Sequence, residues 1–272
     1  MQAAGAPITD LVDKHFATLK ERDIFVFNDG LSRVYRPCTL TRSPLDYVLT
    51  RLWLTLARRG IGQFRHINYS TFRLFFEAIA DLSLPLRILE TGSSAHGISS
   101  SRLLAALAQA TNGRFDTVDL NSRTSARVVE DLATTYPGST HLQAHCGDSV
   151  AFLGAVEGTA NVVYLDSYDL DPDHYDAAAA HGLAEFEALL PKLDARGAVI
   201  LIDDTPVSRA YIATQLSGDN LARADRYLAA NGHMPGKGAT IIKRIDGDPR
   251  FTILAWEYQL LLAFRANLGA PS

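Results

Sequence analysis

The sequence predicts a doubly wound α/β domain on a mainly parallel, seven-stranded sheet. An antiparallel hairpin ends it and a helical cap precedes it. Two observations carry this expectation. From residue 86 onward, short apolar runs alternate with amphipathic helical stretches, the order that gives parallel strands covered on both faces. Near the end, the extended pieces 238–244 and 252–264 are joined by a link around 245–251, too short for a helical crossover, so they should pair as a hairpin. The chain has 272 residues, 47% of them hydrophobic and 21% charged, long enough for one large domain or a domain with an appendage. The expected division is a cap over 1–82 and the α/β domain over 83–272.

The cap does not read as alternating strand and helix. Residues 8–19 fit a short helix with Leu11, His15, Phe16 and Leu19 on one stripe, and 25–34 fit extended pieces around Asn28-Asp29-Gly30. Residues 44–59 fit a helix capped by Ser43, with Pro44 in its first turn and Leu45, Val48, Leu49, Leu52 and Leu56 at helical spacing. Residues 69–82 fit another, with Phe72, Phe75, Phe76 and Ile79 as its apolar face.

The first strand spans 86–89 and ends at Glu90. A turn of small residues, bracketed by Gly92 and Gly97, leads to a helix that Ser99 or Ser100 can cap and that carries Leu103, Leu104 and Leu107. Strand two is 114–120, helix two 122–136, and strand three 141–146. Gly147-Asp148-Ser149 then turns into a helix through Phe152 and Leu153. Strand four is 161–165, ending at Asp166, and a helix covers 174–190. Strand five is 198–202, ending at Asp203-Asp204, and 209–230 is mostly helical.

Ligands of open α/β sheets bind beyond the carboxyl ends of the strands. Glu90, Asp119, Asp148, Asp166, Asp203 and Asp204 all fall at such ends. Each alone could be a helix cap, but six on one edge suggest a site. A strand, a glycine turn and a helix N-terminus bring backbone close to a nucleotide-like ligand. The spacing here is Glu-x-Gly-x-x-x-x-Gly, with Ser94 where a pyrophosphate-binding fingerprint needs glycine. An acid at the strand end repels pyrophosphate and attracts a cationic group.

The stretch L-R-I-L-E-T-G-S-S-A-H-G-I-S-S resembles motif I of class I S-adenosylmethionine-dependent methyltransferases, whose Rossmann-like sheet also ends in a reversed strand. The resemblance implies that Glu90, Gly92, Ser94, Gly97 and Ser99 frame S-adenosylmethionine. Asp119, 22 residues beyond Gly97, would accept the ribose hydroxyls. Asp148 and Ser149 would meet the adenine, with a plain helix cap as the even alternative for Asp148, and Asp166 would complete the cofactor site.

Asp166, Asp203 and Asp204 end neighbouring strands, and three converging carboxylates call for a counter-charge. Oxygen ligands favour Mg²⁺ or another hard divalent cation. Y-L-D-S-Y and I-L-I-D-D-T resemble the metal motifs of Mg²⁺-dependent, catechol-type O-methyltransferases, which implies metal ligation by these three residues. In that family the cation lowers the pKa of the substrate hydroxyl and aims its oxygen at the methyl group. One departure stands out. Where that family carries a lysine base, three residues after the strand-four acid, this chain has Asp169. His174 and His181 are then the candidate bases, His174 preferred because it opens the helix nearest the site.

The expected partner is a small molecule bearing a hydroxyl, such as a phenol, a sugar or another natural-product intermediate. A net charge of −4 without a basic stripe argues against nucleic acid. Two cysteines are too few for a disulfide framework, and neither a signal-peptide pattern nor a membrane-length apolar run is present, so a cytoplasmic location is expected. A homo-oligomer stays open. The rival readings are metal chemistry of another kind such as hydroxylation, a nicotinamide-dependent oxidoreductase, and a non-catalytic partner-binding protein of the same fold.

Overall fold

The computed structural model describes residues 5–17, 27–28, 33–34, 67–94, 99–216 and 218–266. The expected helix 44–59, most of the 25–34 stretch, His96 and Gly97 lie outside the described residues. Of 25–34, Phe27–Asn28 and Arg33–Val34 form a short antiparallel pair.

Seven strands make the sheet: β1 (Arg87–Thr91), β2 (Arg114–Asp119), β3 (Leu142–Cys146), β4 (Val162–Leu165), β5 (Ala198–Ile202), β6 (Phe251–Trp256) and β7 (Leu260–Phe264). Their order is β3-β2-β1-β4-β5-β7-β6. The first five are parallel. β7 runs antiparallel to both β5 and β6, so it is the one reversed strand.

Period-two alternation distributes the strand residues between two cores. Ile88, Phe115, Val162, Tyr164, Val199 and Leu201 face one side. There they meet α1 (Gly5–Ala17), α2 (Tyr69–Ala80), α3 (Ser100–Ala110) and α4 (Ser122–Thr135). Leu89, Val163, Leu165, Ile200 and Ile202 face the other side. There they meet α5 (Ser149–Ala155), α6 (Tyr175–Leu189) and α9 (Ala239–Ile245). Two further helices, α7 (Arg209–Gln215) and α8 (Asp219–Asn231), pack beside α6 around Tyr175, Ile212, Ala224 and Met234. Helices α1 and α2 share the first core with the sheet: Phe72, Phe75, Phe76 and Ile79 are fully buried, and the Phe72 and Tyr164 rings meet at 5.3 Å.

Two expectations are corrected. The stretch 238–244, expected as strand around Ile241 and Ile242, falls instead in helix α9 (Ala239–Ile245). Ile241 and Ile245, one turn apart, bury on α6 and the sheet, and tertiary burial outweighs β propensity. The hairpin therefore lies within 251–264 and turns over 257–259, not around 245–251. The stretch 209–230 is mostly helical as expected, in two pieces, α7 and α8, that part at Gly218, whose φ of +56° suits only glycine. No helix among the described residues is long and apolar enough to cross a membrane.

Candidate active site

The strand order reverses at β1, with β2 on one side and β4 on the other, which opens a crevice beyond their carboxyl ends. Glu90 lies there with no exposed surface. Its Oε2 accepts from the Ser101 hydroxyl at 2.6 Å, and Ser101 Oγ in turn accepts the Ser94 backbone N–H at 3.1 Å. The acid is thus tied to the turn that follows it. Its Oε1 has no hydrogen-bond partner among the described residues, although it is buried. Burial raises the carboxyl pKa to about 7, against the opposing pull of the serine hydroxyls of helix α3.

Gly92 has a φ of +79°, and a Cβ there would stand 2.0 Å from the Asp166 carbonyl oxygen. The glycine is required because β1 and β4 close on each other at this point, a packing reason distinct from ligand approach. Ser99 caps α3 by accepting the Arg102 N–H at 3.2 Å and donates to the Ser94 carbonyl at 2.6 Å. Asp119, half-buried at the end of β2, accepts the Asn121 N–H at 2.6 Å, and burial raises its pKa.

The end of β3 is more structural. Asp148 is exposed and caps α5 by accepting the Ala151 N–H at 2.8 Å. Ser149 is buried with its hydroxyl 3.0 Å from His181 Nε2. His181 also sits 3.0 Å from the Ser167 hydroxyl, under the Tyr168 ring, and 3.7 Å from the buried Glu185 carboxylate, which raises its pKa. His174 stands apart from both groups. It is exposed at the start of α6 and pairs with Asp171 at 2.8 Å.

Asp166, Asp203 and Asp204 do converge, and they converge on Lys237. The Lys237 ammonium, almost wholly buried, lies 2.6 Å from Asp166 Oδ1 and 3.4 Å from Asp204 Oδ2. Tyr164 donates to Asp203 Oδ2 and stands 3.2 Å from Asp166 Oδ2. Asn68 Nδ2 also reaches Asp203 Oδ2, at 3.3 Å, and the Asp204 N–H donates to Asp203 Oδ1 at 2.7 Å. Tyr258 donates to Asp204 Oδ1 at 2.6 Å. Burial pulls the Lys237 pKa down, but Asp166, Asp204 and Asp203 outweigh it and the net shift is upward, so the ammonium stays charged. Burial raises Asp166 and Asp203, with the lysine opposing. Asp204 is held at a left-handed φ of +43°, with its carbonyl accepting the Lys237 N–H at 3.1 Å.

Lys237, Tyr164, Tyr258 and Asn68 join the acids here without any sequence motif that marks them. The one local signal for Lys237 is its pair of flanking glycines. A Cβ at Gly236 would stand 2.6 Å from the Asp204 carbonyl oxygen, and one at Gly238 2.7 Å from the Thr205 side chain. On the far side, a Cβ at Gly182 of α6 would stand 2.5 Å from the Lys237 carbonyl oxygen. Three glycines let this one loop press its lysine against the ends of β4 and β5.

Residues 89–205 match the family model described as a methyltransferase domain. No curated protein sequence matches the chain. Among solved structures, the O-methyltransferase TomG of Streptomyces achromogenes, in complex with S-adenosylmethionine, is 18% identical, with 66% of this chain and 73% of that chain covered and a TM-score of 0.40. The methyltransferase PaMTH1 of Podospora anserina, bound to S-adenosylhomocysteine, is 18% identical over 66% and 70%, with a TM-score of 0.43. A protein of Corynebacterium glutamicum is 10% identical over 85% and 94%, with a TM-score of 0.48.

Proposed function

We propose that the chain, whose residues 89–205 match a methyltransferase-domain model, is a class I, S-adenosylmethionine-dependent enzyme that methylates a hydroxyl oxygen of a small molecule. The observation that carries this reading is the buried Glu90 with Oε1 unpartnered among the described residues, set against the turn between β1 and α3. A carboxylate so placed fits a ligand that brings its own positive charge.

S-adenosylmethionine, when bound, supplies an electrophilic methyl group on sulfur. Glu90 would hold its cationic end, and Asp119, at the end of β2, its ribose hydroxyls. Ser94 and Ser99 shape the turn through their mutual hydrogen bond. Asp166 borders the crevice at the end of β4, its side chain 26% exposed while that of Lys237 is 2% exposed. It is therefore the carboxylate of the cluster best placed to orient an acceptor hydroxyl. As the oxygen gains the methyl group it gives up its proton. Asp166 and the more distant His181 are the groups of the chain proposed to take it.

The donor set does not fit a resident divalent cation. The Lys237 ammonium already supplies Asp166 and Asp204 with the positive charge that they would otherwise offer a cation. A divalent cation held by Asp166 and Asp204 would share its carboxylates with the Lys237 ammonium, a few ångström away. Two unit charges there repel by roughly 4 kcal/mol at an effective dielectric of 20, and a doubly charged ion doubles that. The catechol-type, metal-assisted variant is therefore not part of the proposal.

The test is transfer of labelled methyl from S-adenosylmethionine to a panel of phenols, sugars and hydroxylated polyketides in the presence of EDTA. Label in an O-methyl product is the expected result. Label only on nitrogen or carbon acceptors would replace the acceptor class, and failure to bind S-adenosylmethionine would remove the reading.

A further inference from the structure

We propose that Lys237 is a built-in countercation, an ammonium that holds the carboxylates at the ends of β4 and β5 in the way a divalent cation would. It follows that removing its charge converts this site into a metal-binding one. The inference rests on the proposed function for what the cluster serves, but not for what its charges bind.

The geometry behind it is specific. Three acids from two adjacent strands converge, and the one cation among them in the described residues reaches two of the three, at 2.6 and 3.4 Å. That cation comes from a loop more than thirty residues further along the chain, seated by Gly236, Gly238 and Gly182, at each of which a Cβ would meet backbone or side chain within 2.7 Å. Its ammonium is almost wholly buried, so it serves the carboxylates and not the solvent. A lysine placed only to fill space would not need two carboxylates at hydrogen-bonding range, since a buried charge is costly unless paired. The tyrosines complete the set: Tyr164 and Tyr258 each point a hydroxyl at the same acids. They would order the carboxylates equally well around a lysine or around a metal ion.

Lys237 is then a positioning residue. It acts on an acceptor through Asp166, whose Oδ1 it fixes while part of the carboxylate stays exposed to the crevice. The expected consequence is methyl transfer that neither needs Mg²⁺ nor responds to EDTA.

The experiment is a Mn²⁺ titration followed by electron paramagnetic resonance, with Mg²⁺-dependent thermal unfolding alongside. It uses the full chain as wild type, Lys237→Ala, Lys237→Arg and Lys237→Ala/Asp166→Asn. The expected result is no stoichiometric Mn²⁺ uptake by wild type or Lys237→Arg. Lys237→Ala should bind one Mn²⁺ per chain at least tenfold more tightly than wild type, be stabilised by Mg²⁺, and lose both effects with Asp166→Asn. Stoichiometric Mn²⁺ binding by wild type that Asp166→Asn abolishes would overturn the proposal. So would a folded Lys237→Ala with no gain of Mn²⁺ affinity. Should Lys237→Ala unfold in EDTA, restoration of cooperative unfolding by Mg²⁺ supports the proposal and failure of Mg²⁺ to restore it counts against it. None of these readouts uses S-adenosylmethionine, so the methyltransferase reading can fail while this one stands, and the reverse.

Discussion

Glu90 is the residue whose environment has the clearest consequences. Its carboxyl titrates at about 7 in the folded chain against a reference of 4.5, because it is buried. The sign follows from linkage. An acid whose folded pKa is raised stabilises the fold most below its unfolded pKa. That contribution is lost as pH rises from about 4.5 to about 7, by roughly 3 kcal/mol at most. Ligand-free protein should therefore lose denaturant stability over this window, and Glu90→Gln should flatten the profile, as chemical denaturation at a series of pH values would reveal. The cationic ligand has the opposite preference. S-adenosylmethionine should bind more weakly below pH 7, by about tenfold per unit if the ionised carboxylate is required, and calorimetry on the wild type against Glu90→Gln measures that difference. Asp119→Ala should cost about 1.5–3 kcal/mol in cofactor affinity, the worth of hydrogen bonds to a charged group. Unchanged affinity would remove its assignment to the ribose.

At the scale of elements, glycines decide how strand ends meet. Gly92→Ala places a methyl group 2.0 Å from the Asp166 carbonyl at a φ of +79°. It should destabilise the fold by more than about 2 kcal/mol; a midpoint shift in denaturant smaller than half that would mean that β1 and β4 can separate at little cost. The elements themselves were largely legible. Strand β5 falls where its five-residue apolar run put it, and α2 and α4 follow their helical stripes closely. What failed was local in kind. Thr240-Ile241-Ile242 carries strand propensity, and only the burial of Ile241 and Ile245 against α6 and the sheet makes it helical. At the site, the acids were legible because each ends a strand. Lys237 was not, because it lies 71 residues from Asp166 and no local pattern announces such a contact. At the end of β3, Asp148 takes the helix-cap role that the sequence allowed it, and Ser149 meets His181.

Across the whole molecule, the sheet carries two cores, and the site sits where elements from both faces and the hairpin turn meet. Helix α2 brings Asn68 to Asp203, while the hairpin turn brings Tyr258 to Asp204 and Gln259 to Thr71. The loop before α9, packed against α6 on the opposite face, brings Lys237. Folding of both layers is thus required before the carboxylate cluster is complete. Phe72→Ala, which removes a buried ring that meets Tyr164 at 5.3 Å, should cost about 3–5 kcal/mol, measured by equilibrium unfolding. It should also weaken the cluster from a distance. The most direct test of the central claim is calorimetric titration of S-adenosylmethionine into the wild-type chain in EDTA at pH 8, with nicotinamide adenine dinucleotide as control. One site per chain is expected, saturable at micromolar concentration for S-adenosylmethionine and silent for the dinucleotide. Binding of the dinucleotide instead, or of neither, would contradict it.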